Sequence, residues 1–423
     1  MSGAKRIVPT PIRQIGDRVI LSPVALHRLI EVLAVEYRVI GPTVADGAIV
    51  LRDLASADEL PTGWIDEQEG GHYRLHRDES AGPFDHVVGP HSLKNFLFPA
   101  REPIARFERI GEVWQERAVP LPERPLAVIG MRGCDLAALA IQDRVFLRGD
   151  GGEGGAIDPA YQRRRDRLFL VAVDCRRAAA TCFCHSTGSG PAACSVPAGR
   201  QADLALVDLG PGPADGVAPG GGPRRYECRI GSARGAAVIN AIAAELPLAP
   251  SLPEEVAAAE RVPVELERAM WARKGSDGGP GRSLEMDNLR DLLYSNLEHP
   301  RWLEVADRCL SCTNCTLVCP TCFCASVTEV ADLSGDAVTR ERHWASCFSL
   351  DHARMHGTSV RHTTASRYRQ WLTHKLGGWI DQFGTSGCTG CGRCITWCPV
   401  GIDLTAEVAA IRESPGPATG NAP

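Results

Sequence analysis

Two stretches toward the C-terminus carry thiols at one repeated spacing. The first is Cys309-Leu-Ser-Cys312-Thr-Asn-Cys315-Thr-Leu-Val-Cys319-Pro320, and the second is Cys388-Thr-Gly-Cys391-Gly-Arg-Cys394-Ile-Thr-Trp-Cys398-Pro399. Both read C-x2-C-x2-C-x3-C-P, the spacing that wraps two iron–sulfur cubanes in bacterial ferredoxins. Three cysteines two residues apart can curl round three corners of a cubane, whose irons each need a thiolate. The fourth sits a helical step later and points away, so it serves the neighbouring cluster. One 4Fe–4S cluster is therefore expected on Cys309, Cys312, Cys315 and Cys398, and a second on Cys388, Cys391, Cys394 and Cys319. Gly390 and Gly392 are read as letting the backbone approach the second cluster. Structural zinc motifs instead pair two C-x2-C knuckles, without four cysteines in one run.

Sixty-eight residues, 320 to 387, separate the runs, so their pairing requires an insert that loops out and returns. This insert, read as helical, contains Cys322, Cys324, Cys347, His343, His352 and His356. They are taken as packing residues or as supports around the clusters, with a fourth metal site as the alternative. Trp344, Tyr368, Trp371 and Trp379 are read as core contacts.

A third thiol set precedes these runs. Cys134 follows the apolar stretch Leu126–Met131, Cys175 ends the stretch Leu168–Val173, and Thr181-Cys182-Phe183-Cys184 comes shortly after. If both stretches are parallel strands, Cys134 and Cys175 emerge at the carboxyl edge, where open α/β sheets place their ligands. Cys134, Cys175, Cys182 and Cys184 are thus expected to hold a third 4Fe–4S cluster. Cys194 and Cys228 also lie nearby. Gly130–Asp135 lacks G-x-G-x-x-G, and no P-loop occurs, so no flavin or nucleotide site is expected on this chain. Arg163–Arg165 reads as a solvated face or a partner contact.

The elements that must position these groups are legible in part. Residues 22–36 read as a helix capped by Ser22 and entered through Pro23, and 37–44 and 48–54 read as strands. Residues 55–125 carry many turn signals and no clear period. Strand 126–131, helix 135–147 and strand 168–173 fit a parallel βαβ unit. The expected fold is an α/β N-terminal region containing that unit, followed by a mainly α-helical dicluster ferredoxin domain. The expected divisions are 1–125, 126–250, a helix and linker at 251–283, the cluster domain at 284–413, and a disordered tail at 414–423. Within these, 253–273 is helical, and 210–223 and 274–281 are Gly-rich linkers.

Bulk composition agrees with a soluble carrier. The chain has 423 residues, 44% hydrophobic and 23% charged, with a formal net charge of −5. That balance gives no basic field for nucleic acid or an anionic membrane. No stretch approaches a membrane span, and the first residues lack a signal-peptide core. All seventeen cysteines lie beyond residue 133, bunched rather than spread. In a chain without an export signal, that bunching reads as metal binding in the cytoplasm.

The chain resembles the iron–sulfur β subunit of cytoplasmic bidirectional nickel–iron hydrogenases (sulfhydrogenases) and the related anaerobic sulfite reductase A subunit. The resemblance rests on GPHSLKNFLFP at 89–99, MRGCDLAAL at 131–139, DPAYQRRRD at 158–166 and VDCRRAAATCFC at 173–184. It continues through CLSCTNCTLVCPTCFC at 309–324, RYRQWLTHK at 367–375 and GCTGCGRCITWCPVGID at 387–403. It implies an electron-transfer subunit between a flavin NAD(P)H diaphorase subunit and the nickel–iron hydrogenase small and large subunits. The alternatives are a subunit of a sulfite or sulfur reductase, or a catalytic iron–sulfur subunit acting directly on a sulfur substrate. The first reading makes the chain part of an oxidoreductase complex, not a catalyst alone. The resemblance also supports Cys134, Cys175, Cys182 and Cys184 as ligands.

Overall fold

A computed structural model describes residues 12–120, 124–147, 157–193, 202–212, 222–275 and 278–414. Cys194, most of the 210–223 linker and nearly all of the C-terminal tail lie outside these residues.

The apolar stretches in the first half form a seven-stranded mixed sheet. Its centre is parallel: Arg38–Ala45, Leu126–Met131, Phe169–Val173 and Leu204–Pro211 lie side by side in that order. Antiparallel strands Ala48–Asp53 at one side, and Arg224–Ile230 followed by Arg18–Leu21 at the other, complete it. Every residue of Phe169–Val173 is buried, because helices cover both faces of a parallel centre. Alternation then sorts the side chains. Ala127, Ile129, Phe169, Val171 and Val173 meet one core with helices Pro23–Glu36 and Ala233–Ala243. Val128, Leu170 and Ala172 meet the opposite core, with Leu136 and Leu139 of helix Gly133–Phe146.

The βαβ unit is present as expected, with Leu126–Met131, Gly133–Phe146 and Phe169–Val173 in a parallel crossover. The first helix begins where its signals place it: Ser22 Oγ accepts from Ala25 N at 3.2 Å, and Pro23 occupies the first turn. Losing that cap would cost about 1 kcal/mol. The helix at Pro253–Ala272 also forms.

The ambiguous 55–125 stretch supplies the hairpin Trp64–Glu69/His72–Arg77 and the strands Arg101–Ile110 and Val113–Arg117. Its turn signals were genuine, but its partner strands were remote. Arg101–Ile110 pairs with Ala337–Trp344 of the insert, which in turn pairs with Ala325–Ala331. The insert is therefore not simply helical: an antiparallel hairpin precedes its helix Thr364–Thr373. Tyr368, Trp371 and Trp379 are buried as expected, and Trp344 packs partly against the core beside Phe98.

The rest of the C-terminal third is short helices round one apolar core. Leu289, Leu293, Trp302, Val305, Leu372, Leu376, Ile395 and Val408 meet there, together with Phe183 from the N-terminal half. Phe183 is fully buried in that core and pins the Cys182–Cys184 loop to the cysteine runs.

Candidate metal centre

Both cysteine runs adopt the same local backbone. Residues two places after the first cysteine and one place after the second take positive φ: Ser311 at 51° and Thr313 at 71°, Gly390 at 61° and Gly392 at 79°. These left-handed steps reverse the chain between cysteines and curl the thiols inward. The first step also turns a backbone N–H onto the preceding sulfur. Ser311 N donates to Cys309 Sγ at 3.4 Å, and Gly390 N to Cys388 Sγ at 3.5 Å. Ile402 N donates to Cys398 Sγ at 3.3 Å.

The runs use different residue types for the same turns because of what lies outside them. Cys312 is exposed, so Ser311 and Thr313 have room for side chains. A Cβ on Gly390 would stand 2.6 Å from Cys184 Cα, and one on Gly392 would stand 2.5 Å from Thr181 O. Close approach of a cluster is what the sequence leads one to expect at these glycines. The structure attributes the tight clearance to the Thr181–Cys184 loop pressed against the run. Phe183 N donates to Gly390 O at 2.9 Å, and Thr181 Oγ1 meets Thr396 Oγ1 at 2.8 Å.

Cys309, Cys312, Cys315 and Cys398 line one cavity, with Phe348, Tyr368 and Trp371 in its wall. Cys394 of the other run also reaches this wall. Cys319 sits with the second run: its charge acts on Cys388, Cys391 and Cys394. The long insert returns on itself, as the pairing requires, because Thr321 Oγ1 donates to Gly387 O at 2.7 Å.

The N-terminal thiols also converge. Cys134 opens helix Gly133–Phe146 and Cys175 follows strand Phe169–Val173, both at the same sheet edge. Cys184 interacts electrostatically with Cys182, Cys175 and Cys391, and Cys134 with Cys391 and Cys184. Gly130, at φ 87°, accompanies a bulge between Ile129 and Met131 that re-aims the chain leading to Cys134.

These sets suit a polycationic core. Burial pushes the Cys182 and Cys388 thiols up to about 12, and it raises Cys134, Cys184 and Cys394 as well, with neighbouring thiolates adding to each. So many buried thiolates crowded together are tolerable only when bound to metal. The protein adds counter-charge. Lys375 Nζ lies 3.2 Å from Cys319 Sγ, Thr321 Oγ1 and Gly387 O. Burial works against its charge, but Cys319, Cys322 and Cys388 outweigh that and hold its pKa up. Lys94 Nζ donates to Thr316 O and Leu317 O beneath the first run and lies over the Trp344 ring. Buried Arg393 pairs with Asp135 at 2.8 Å and donates to Gly89 O and His91 O. It therefore bridges the second run to the N-terminal set.

None of these four charged residues was singled out from sequence. All four stand within the distinctive segments, Lys94 in 89–99, Asp135 in 131–139, Lys375 in 367–375 and Arg393 in 387–403, which was the available signal. Cys322 is hydrogen-bonded to Cys319. His343 instead bonds Thr328 on the hairpin, and His356 is an exposed turn residue. Arg164 and Arg165 are not a free basic face: they bond Leu97 O and Glu102, and Asp143. Among the described residues, no helix is long and apolar enough to cross a membrane.

Residues 308–402 match the family described as a 4Fe-4S dicluster domain. The chain is also 28% identical over 287 residues to sulfhydrogenase 2 subunit beta of Pyrococcus furiosus, covering 68% of this chain and 74% of that protein. Both cysteine runs, Cys309–Cys319 and Cys388–Cys398, lie inside the segment matched to the dicluster domain, and the likeness to the sulfhydrogenase beta subunit spans two thirds of the chain.

Proposed function

We propose that this chain is the cytoplasmic electron relay of a hydrogenase-type complex. It links a flavin- and NAD(P)H-binding diaphorase subunit to nickel–iron hydrogenase small and large subunits, and three 4Fe–4S clusters occupy the sets assigned from sequence. The observation that carries this reading is the succession of thiol sets. Cys312 is exposed at one end, Cys394 reaches from the second run into the first cavity, and Cys391 faces Cys184 and Cys134 in the interior.

Clusters bound at such sets supply one-electron redox centres whose potentials follow charge, hydrogen bonds and solvent access. The protein's own part is to hold and insulate. Backbone N–H groups of Ser311, Gly390 and Ile402 bond ligating sulfurs, and Lys375 and Arg393 offset negative charge. Phe183, Tyr368 and Trp371 keep water from the space between the sets. No side chain is needed as acid, base or nucleophile. The relative's name, a subunit of a sulfhydrogenase, supports the choice of partners.

Iron and acid-labile sulfide in the anaerobically purified chain test the cofactor count. Three sets require about twelve of each per chain. About eight would remove the N-terminal cluster, and none would end this reading. Co-purification from the source cell tests the partners: a flavoprotein and a nickel-containing subunit are expected. A sulfite-reducing subunit in place of nickel would redirect the assignment.

A further inference from the structure

The insert between the cysteine runs brings together a ligand set of a different size. Cys324 immediately precedes strand Ala325–Ala331, Cys347 follows strand Ala337–Trp344 by three residues, and His352 lies in the turn Leu350–Ala353. Strand pairing begins at Ala325 opposite Trp344, and Ala345 N donates to Cys324 O at 2.8 Å, so the hairpin base holds the two cysteines together. Ser349 N to Ser346 O and His352 N to Ser349 O then fold the chain back. Phe348, buried against Tyr368 and Trp371, anchors this turn beside the first cluster cavity.

The spacing is informative. Cys324 Sγ and Cys347 Sγ lie 3.6 Å apart. Among the described residues, theirs and the His352 ring nitrogen are the one trio of potential ligand atoms all within 4.8 Å of one another. A disulfide would need a contact of about 2.05 Å. Two thiolates each about 2.3 Å from one tetrahedral metal stand roughly 3.8 Å apart. A cubane holds its thiolates on separate irons, which keeps them farther from one another, and the twelve cysteines assigned to clusters form no such tight trio.

We propose that Cys324, Cys347 and His352 bind a single borderline-soft divalent metal ion, Zn²⁺ or Fe²⁺, separate from the 4Fe–4S clusters. Two thiolates and one neutral imidazole suit either ion and disfavour hard cations such as Mg²⁺ or Ca²⁺. Binding releases the two thiol protons to solvent and leaves a neutral set, with one coordination position open to water. The ion fixes the base of the hairpin against the wall of the first cluster cavity.

Elemental analysis of the full-length, anaerobically purified protein tests this. One zinc per chain is expected, or iron exceeding acid-labile sulfide by one per chain; the two results identify the ion. Cys347→Ser and His352→Ala should each lose that one ion while keeping wild-type sulfide and visible absorbance. No metal beyond cluster iron in the wild type would overturn the proposal. So would full retention of the ion in both variants, loss of cluster sulfide in place of the ion, or a Cys324–Cys347 disulfide in the anaerobic protein.

Discussion

The ammonium of Lys375 lies 3.2 Å from the sulfur of Cys319, although 56 residues separate them in sequence. A π-type turn over His374–Gly378, between helices Thr364–Thr373 and Trp379–Phe383, carries the lysine inward. Its charge is set against the thiolates of the second run, where it favours the more reduced, more negative state of whatever they hold.

Lys375→Met should therefore lower the reduction potential of the cluster at Cys388, Cys391, Cys394 and Cys319. A unit charge a few ångströms away at an effective dielectric near 20 is worth about 3 kcal/mol, or roughly 130 mV for one electron. Thiolates hold this lysine above its ordinary range, so the shift should persist from pH 6 to pH 9. EPR-monitored redox titration is the check, and an unchanged potential would contradict the assigned contact.

The two cysteine runs should respond differently to similar changes. Gly390→Ala places a methyl 2.6 Å from Cys184 Cα at φ 61°, so a loss of about 2–3 kcal/mol is expected, with damage concentrated at the Cys182–Cys184 loop. Ser311→Gly relieves the same left-handed turn but removes the hydroxyl that accepts from Arg367 Nη2 at 3.2 Å, so two effects of about 1 kcal/mol each should nearly cancel and leave stability close to unchanged. Denaturation midpoints of the holoproteins would separate the two.

Ligand removal should be selective. Cys312→Ala should cost one cubane's iron and sulfide at the exposed end, and Cys182→Ala one cubane at the N-terminal set, each leaving the other centres in place. Iron and sulfide content together with EPR integration decide this. A Cys182→Ala protein with its full complement would remove the N-terminal cluster.

Acid should weaken the floor beneath the N-terminal set. Burial, with the Arg132 charge adding to it, pushes His86 down to about 3 from an ordinary 6.5. Its backbone carbonyl accepts from Arg132, which also donates to Asp174 O beside Cys175. Because the unfolded chain binds the proton more readily, the stability from neutral His86 is complete above pH 6.5 and falls as pH drops toward 3. Between pH 7 and pH 5 the loss should be about 2 kcal/mol. His86→Gln should flatten that slope in urea titrations, and an equally steep slope in the variant would rule His86 out as its source.

The local grammar of this protein was readable residue by residue. Ser22-Pro23 marked a helix start, and the unbroken apolar runs 126–131 and 168–173 marked buried parallel strands. The C-x2-C-x2-C-x3-C-P spacing marked which thiols can share a metal core. These signals act over a few residues, where backbone sterics and burial leave few choices. Tertiary structure decided what no local pattern encodes: that Arg101–Ile110 pairs with a strand more than two hundred residues later, that Lys375 and Arg393 are buried against thiols, and that Gly390 and Gly392 make room for the Thr181–Cys184 loop. It also decided that Cys324, Cys347 and His352 meet at a hairpin base. Each of these depends on which distant surfaces exclude water together, and that is a property of the whole packed chain.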